Sequence, residues 1–350
     1  MKALAQVKDP ELDRSIVELG MVRDLRVEGG VVRFTLALTT VACPLKGQMQ
    51  QAAREALLAL DGVKDVEIKI GEMSAEQKAR LQGGQPSEGM AARLNKVKHV
   101  IAVMSGKGGV GKSLVAGMLA VELSRNGHQV GVLDADITGP SIPKMFFPNG
   151  ARTGSSPVAI LPAVTRSGIR VMSINLLLEN EDQPVIWRGP LISGAIRQFW
   201  GDVLWGELDY LVVDLPPGTS DASLTVLQSL PMSAVVLVTS PQDLAGMVVR
   251  KAAQMVQQVG VPILGMVENM SYFTCPDTGK QHDIFGPSHA EEMAARLGIP
   301  YLGRLPIDPR IATLCDTGQV EFYESDAFRK IADQVVDLAP DARPPVMAGT

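Results

Sequence analysis

Residues His99 to Leu114 read HVIAVMSGKGGVGKSL, and this stretch decides the fold. An apolar β-type run, Val100 to Val103, feeds into Gly106-Lys107-Gly108-Gly109-Val110-Gly111-Lys112-Ser113. Apolar residues at helical spacing follow from Leu114 to Leu123. Strand, glycine-rich loop and helix in that order are the context in which a phosphate-binding P-loop motif carries weight. Glycines let the backbone turn tightly and point several N–H groups inward, and the helix N-terminus adds partial positive charge. Lys112 is placed to reach the β- and γ-phosphates, and the Ser113 hydroxyl to ligate Mg²⁺. A glycine-rich turn that merely joins a strand to a helix is the plain alternative. Further motifs, in order downstream, favour a nucleoside triphosphate.

The loop's geometry needs one lysine, and this loop carries two. Lys107 gives it the form KGGVGKS. That form resembles the deviant Walker A loop of the dimeric ATPases that include nitrogenase iron protein, the septum-site and partition ATPases and the arsenite-pump ATPases. The resemblance implies a homodimer with ATP sandwiched between subunits, Lys107 reaching across to the partner's nucleotide. On that reading Lys107 and Lys112 are catalytic, and Gly106, Lys107, Gly108, Gly109, Val110, Gly111, Lys112 and Ser113 form the cradle. A solvated lysine on the loop is the plainer role for Lys107.

The chain has 350 residues, enough for one large α/β domain and something smaller. Hydrophobic residues make up 46% and charged residues 20%, as in an ordinary globular protein. A formal charge of −5 offers no global attraction for nucleic acid or anionic lipid, so neither is expected as a partner. No run approaches a membrane span, and the N-terminal MKALAQVKDPELD lacks the apolar core of a signal peptide. Cys43, Cys275 and Cys315 are too few, and odd in number, for a disulfide framework. A cytoplasmic, reducing compartment is the expectation.

Residues 1–71 read as a separate small α/β domain. A helical segment begins at Asp9-Pro10-Glu11-Leu12 and ends at Gly20. Met21 to Val27, a Gly29-Gly30 turn and Val31 to Thr39 read as a hairpin; Leu45 to Leu60 reads as a helix and Val63 to Ile70 as a strand. Asp9-Pro10-Glu11, SIVELGMV (Ser15 to Val22) and TTVACP (Thr39 to Pro44) resemble the small domain of iron–sulfur assembly factors. Cys43 in that motif reads either as a thiolate at a helix N-terminus or as a small buried turn residue. Residues 72–97, rich in Ser, Gln, Gly and charge, read as a linker.

Residues 98–340 alternate apolar strands with helices, which predicts an α/β fold: a mostly parallel, doubly wound P-loop sheet covered on both faces. Residues 341–350 read as a disordered tail. Three motifs fall at expected strand exits, where ligands bind in such sheets. In VLDADITGPS (Val132 to Ser141), two aspartates at i, i+2 suit water-mediated Mg²⁺ binding and a hydrolytic water; by resemblance Asp136 is the water-activating residue. In LVVDLPPGTSD (Leu211 to Asp221), Asp214 ends an apolar strand as a Walker B aspartate holding Mg²⁺ through water, and Gly218 is free to approach the γ-phosphate. Asp221 reads as the N-cap of the next helix. In VENMS (Val267 to Ser271), the Asn269 amide at a strand end suits the edge of an adenine ring. By resemblance it does so together with the Leu305-to-Pro309 loop.

Together DADITGPS, VVDLPPGTSD and VENMSYF resemble the Mrp/ApbC iron–sulfur cluster carrier ATPases, over nearly the whole chain. The resemblance implies ATP, magnesium and an iron–sulfur cluster (4Fe–4S) as cofactors. It implies a slow ATPase whose homodimer receives its cluster from assembly proteins and delivers it to apoprotein clients. Members of that family assigned a cluster usually carry Cys-x-x-Cys after the Asn-Met segment, whereas here the run is Cys275-Pro276-Asp277-Thr278. Cys275 is the iron–sulfur candidate, and Thr278 leaves a dimer two thiolates short of a 4Fe–4S ligand set. Asp277, His282, Cys43, Cys315 or an external thiol are the alternatives for completing it. An ATP-switched adaptor without a cluster, or a ParA/MinD-like positioning ATPase, are the alternative functions. Against the latter, AFRKIADQVVDL (Ala327 to Leu338) balances its basic and acidic residues.

Overall fold

The computed structural model describes residues 1, 3–7, 15–38, 46–60, 62–72, 91, 94–156, 159–178 and 189–342. They fall into two compact units, Met1–Ser87 and Glu88–Thr350.

In the first unit β1 (Val22–Glu28) and β2 (Val31–Leu38) pair antiparallel, and β3 (Asp65–Glu72) adds to β2 in parallel. Gly29 and Gly30 carry φ of 59° and 86°, the paired positive values that a two-residue hairpin turn demands. Helix α1 (Lys46–Leu58) supplies Met49, Ala53 and Leu57 to a core with Phe34, Leu36 and Val66. The expected helix ending at Gly20 is corrected in part. The described residues 16–20 form a turn closed by Leu19 N donating to Ser15 O at 3.0 Å, while 8–14 lie outside the described residues. Cys43 lies outside them as well.

The second unit bears out the expected fold class. Its central sheet contains β4 (Lys96–Ser105), β5 (Val130–Asp134), β8 (Ala163–Val164), β9 (Arg170–Met172), β10 (Glu207–Asp214), β11 (Ala234–Thr239), β12 (Ile263–Thr274), β13 (Gln281–His282) and β14 (Tyr301–Ile307). The order is β13-β12-β11-β4-β10-β5-β9-β8, with β14 also on β12. Only the short β8 and β13 run antiparallel to their neighbours. A two-stranded ribbon of β6 (Gly154–Ser155) and β7 (Ile160–Leu161) lies apart from this sheet.

Alternation along β4 explains the two cores. Ile101 and Val103 face α2 (Lys112–Arg125) and the C-terminal helix Asp326–Leu338; Val100, Ala102 and Met104 face the opposite layer. That layer holds α4 (Gly189–Gly201), α5 (Asp221–Ser229), α6 (Asp243–Val259) and α7 (Ala290–Leu297), the short α3 being Ile142–Phe146. Because β4 is flanked by β10 and β11, the chain winds away from it in both directions. The crevice at its carboxyl end is therefore the expected ligand position. No helix among the described residues is long and apolar enough to cross a membrane.

One expectation about a strand end is overturned. Asn269 does not end its strand: β12 continues to Thr274, with an irregular register against β14 between Glu268 and Tyr272 and a positive φ of 56° at Met270. Beyond Glu268 the strand outruns β11, and β13 pairs with its tip at Phe273 and Thr274. Asp221 is not the N-cap but stands in the first turn of α5, behind Ser220.

Candidate functional site

The glycine-rich loop joins β4 to α2 at the carboxyl edge of the sheet. Gly111 is the N-cap of α2 with a φ of 78°, and a Cβ there would lie 2.2 Å from Asn269 Nδ2. Gly106 has a packing reason instead, since its Cβ would lie 2.5 Å from the backbone carbon of Val248. The loop can follow this path only without side chains at those two points.

Behind the loop lies a buried charged cluster. Lys112 and Asp214 are 6% and 0% exposed, and the ammonium donates a short hydrogen bond to Asp214 Oδ1. The second oxygen, Asp214 Oδ2, is buried without a hydrogen-bond partner. Burial pushes the Asp214 carboxyl up, against the pull of the Lys112 ammonium and the Ser113 hydroxyl. Asp134 is held by its own neighbourhood: Oδ2 accepts from Ser141 N at 3.1 Å, Ile142 N at 3.2 Å and Ser173 Oγ at 3.2 Å. Burial, then the Asp214 charge, lifts its carboxyl to about 8. Asp136 closes the turn after β5, its Oδ1 accepting from Thr138 Oγ1 and Gly139 N, both at 3.1 Å.

A bare carboxylate oxygen beside a serine hydroxyl, in a dry crevice with a second carboxylate, is the donor set a hard divalent cation takes. The chemistry of this donor set fits Mg²⁺, which Ser113, Asp214 and Asp136 would hold. The bare Asp214 oxygen is the mark of a site incomplete without a ligand, because a buried unpaired polar atom costs about 1–3 kcal/mol.

Switch-type contacts tie the remaining motif residues to the loop. Gly218 N donates to Ser105 O at 2.9 Å, and Ser223 Oγ donates to Pro216 O at 3.1 Å and Gly218 O at 3.3 Å. Asn269, 2% exposed, donates from Nδ2 to Val110 O at 3.0 Å. Its amide thus holds the loop in this state. Asp308 caps the helix Pro309–Asp316, accepting from Arg310 N at 2.9 Å and from Tyr323 Oη at 3.0 Å. Lys107 sits on the exposed side of the loop, donating to Gln242 Oε1 at 3.3 Å. Sequence reasoning missed Ser223 and Gln242. A serine inside a helix and a glutamine before one carry no motif, and only the packed structure shows what they hold.

Cys275 lies elsewhere, in the turn between β12 and β13. Its N donates to Lys280 O at 2.9 Å, and Gly279 N donates to Cys275 O at 2.8 Å. The Thr278 hydroxyl first, then the Thr278 and Asp277 N–H groups, hold the Cys275 thiol below its usual range. Thr278 therefore supports the sulfur from the place where a second thiolate would stand. Cys315 differs: burial lifts its thiol to about 11, which counts against recruiting it as a ligand. Among the described residues no group of three or more His, Cys, Asp or Glu side chains could hold a metal ion.

Residues 96–339 match the family model of the NUBPL iron-transfer P-loop NTPases, and residues 1–70 match an iron–sulfur cluster assembly protein domain. An iron–sulfur cluster carrier protein of Synechocystis sp. is 44% identical over 345 residues, covering 96% of this chain and 95% of the relative. One of Methanocaldococcus jannaschii is 46% identical over 249 residues, covering 70% of this chain and 86% of the relative. A nucleotide-binding protein of Archaeoglobus fulgidus, solved in complex with ADP, shares 46% identity. It superposes with a TM-score of 0.60, covering 66% of this chain and 91% of that one. This chain belongs to the family of NUBPL iron-transfer P-loop NTPases.

Proposed function

We propose that the chain is a slow ATPase which, as a homodimer, holds an iron–sulfur cluster and delivers it to apoproteins. The observation that carries the ATPase half is the buried Lys112–Asp214 pair with one bare carboxylate oxygen, set behind a loop whose path requires glycine at Gly106 and Gly111. In the resting protein Lys112 is neutralised by Asp214. An incoming triphosphate offers Lys112 a denser anion, so the ammonium turns to the phosphates and the Asp214 carboxylate is freed; Asp214, with Ser113 and Asp136, would hold Mg²⁺ if it were bound. The cation, when bound, neutralises charge on the β- and γ-phosphates. Asp136 then orients and deprotonates the attacking water, and Gly218 exchanges its bond to Ser105 O for the γ-phosphate. That exchange makes the Pro216–Gly218 segment sensitive to triphosphate against diphosphate. Lys107, exposed and held by a 3.3 Å bond, is free to cross to a second subunit. Asn269 Oδ1 is left to face the base while Nδ2 holds Val110.

The cluster half rests on the carrier relatives and on Cys275, the partly exposed thiol poised toward thiolate. One cysteine per subunit gives a dimer two thiolates, and external thiols or the client supply the rest. The proposed domain limits are 1–71, 72–97 and 98–340, with the first contacting assembly partners.

The deciding test is anaerobic reconstitution with iron and sulfide, with the metal content of wild type compared with that of Cys275→Ala. Near-stoichiometric binding that is lost in the variant supports carriage at Cys275. Equal binding moves the site to Cys43 or Cys315. No binding in either leaves the ATP-switched adaptor, the reading that Thr278 favours.

A further inference from the structure

Outside the nucleotide loop the second unit contains a cavity of about 360 Å³ at the carboxyl end of β11 and beside the middle of β12, lined also by Gln242 before α6, Arg250 within it, and residues along α7. Its size is that of a small-molecule cleft. Glu268 lines it from the strand, 1% exposed, one oxygen accepting from Ser271 Oγ at 2.5 Å. Among the described residues no cation pairs with this carboxylate. Its charge is felt next door: burial, then Glu268, pushes the Tyr301 hydroxyl up to about 12. The exposed lining carries two guanidinium groups, an imidazole and the Glu292 carboxylate. Arg250, His289 and Arg296 stand there; Arg296 has Glu292 at 3.6 Å, and Arg250 has no acidic partner among the described residues. A buried carboxylate without a cation is costly, and a cation without an anion is available. The cavity thus holds a buried carboxylate with no cation on it and, at Arg250, a cation with no carboxylate on it among the described residues, Glu292 being beside Arg296.

We propose that this cavity binds a small zwitterion of amino-acid or dipeptide size, its ammonium on Glu268 and its carboxylate on Arg250. The site is distinct from the nucleotide crevice yet touches it twice. Adjacent strand residues face opposite ways, so the residue after Glu268 is the Asn269 that holds Val110 O. Gln242, which also lines the cavity, holds Lys107. An occupant would therefore bear on the loop from behind. The proposal needs neither the ATPase nor the cluster reading, and its failure would leave both standing.

The test is calorimetric titration of the full nucleotide-free chain with the common amino acids and a set of dipeptides, each beside its N-acetyl counterpart. At least one free-amine probe should saturate in the millimolar range or below. Its acetylated form should bind about tenfold or more weakly, the worth of one charged hydrogen bond. Glu268→Gln and Arg250→Gln should each cause a similar loss. If Glu268→Gln unfolds, Arg250→Gln, on the exposed side of α6, decides alone. Absence of saturation by any probe overturns the proposal, as does binding indifferent to the folded variants. Equal binding of acetylated probes also overturns it, and marks the cavity instead as a dock for peptide carboxyl termini.

Discussion

The nucleotide loop and the Cys275 turn lie on the same unit and are built in opposite ways. Behind the loop the groups are buried and held: Lys112 by Asp214, Asp134 by three backbone N–H groups and a serine, Val110 by Asn269. The turn is a short exposed excursion whose sulfur is supported by its own next few residues. The difference follows from what each must handle. Stabilising phosphate charge requires donors fixed before the reaction in a water-poor crevice. A thiolate that accepts and releases a metal cluster must stay reachable and must not be locked to protein groups. The loop is complete except for its ligand, whereas the turn offers a single thiol, Cys275.

The sharpest break in this contrast is Lys112→Ala, which should cut ATP hydrolysis by about 10³-fold or more, because phosphate charge loses its one buried cation. Steady-state phosphate release measures it, and iron loading at Cys275 should be unchanged. Asp136→Asn should lower kcat by about 10²-fold while ATP binding persists, the signature of a residue acting on water. Fluorescent nucleotide binding beside turnover separates the two quantities.

On the thiol side, Cys275 should be alkylated at least about tenfold faster than Cys315 near neutral pH, because the thiolate is the nucleophile. The sign follows from the shifts. A lowered Cys275 value puts its thiolate below the ordinary range, so its rate rises early with pH; Cys315, at about 11, gains reactivity only in strong alkali. Mass spectrometry of iodoacetamide-treated protein across pH reads both. The smallest effect belongs to Thr278→Val, which removes the leading hydrogen bond to sulfur and should slow Cys275 alkylation about threefold. An unchanged rate would show that the backbone N–H groups alone tune the thiol.

Most of the fold was legible because its signals are local. The Val100–Val103 run, the spacing of glycines from Gly106 to Gly111 and the apolar strands ending at Asp134 and Asp214 each announce themselves within a few residues. The Asn269 strand was misread because a positive φ at Met270 and a register shift look like a strand end in a one-dimensional pattern. Asp221 stood one residue inside its helix for a similar reason, since cap position is set by φ and ψ rather than by residue type.

The sequence by itself determined the parallel P-loop sheet, and it carries the glycine spacing of the expected nucleotide cradle and the single thiol of the Cys275–Thr278 run, because each depends on residue type and spacing along the chain. The tertiary structure alone decided which groups meet. It put Lys112 on Asp214, left Oδ2 bare, set Asn269 against Val110, hung Lys107 on Gln242 and placed Glu268 on an unfilled cavity. Those pairings join residues up to 159 positions apart in the chain. Spacing carries no record of them: they arise when strands distant in sequence become neighbours in one sheet and helices close over its edge.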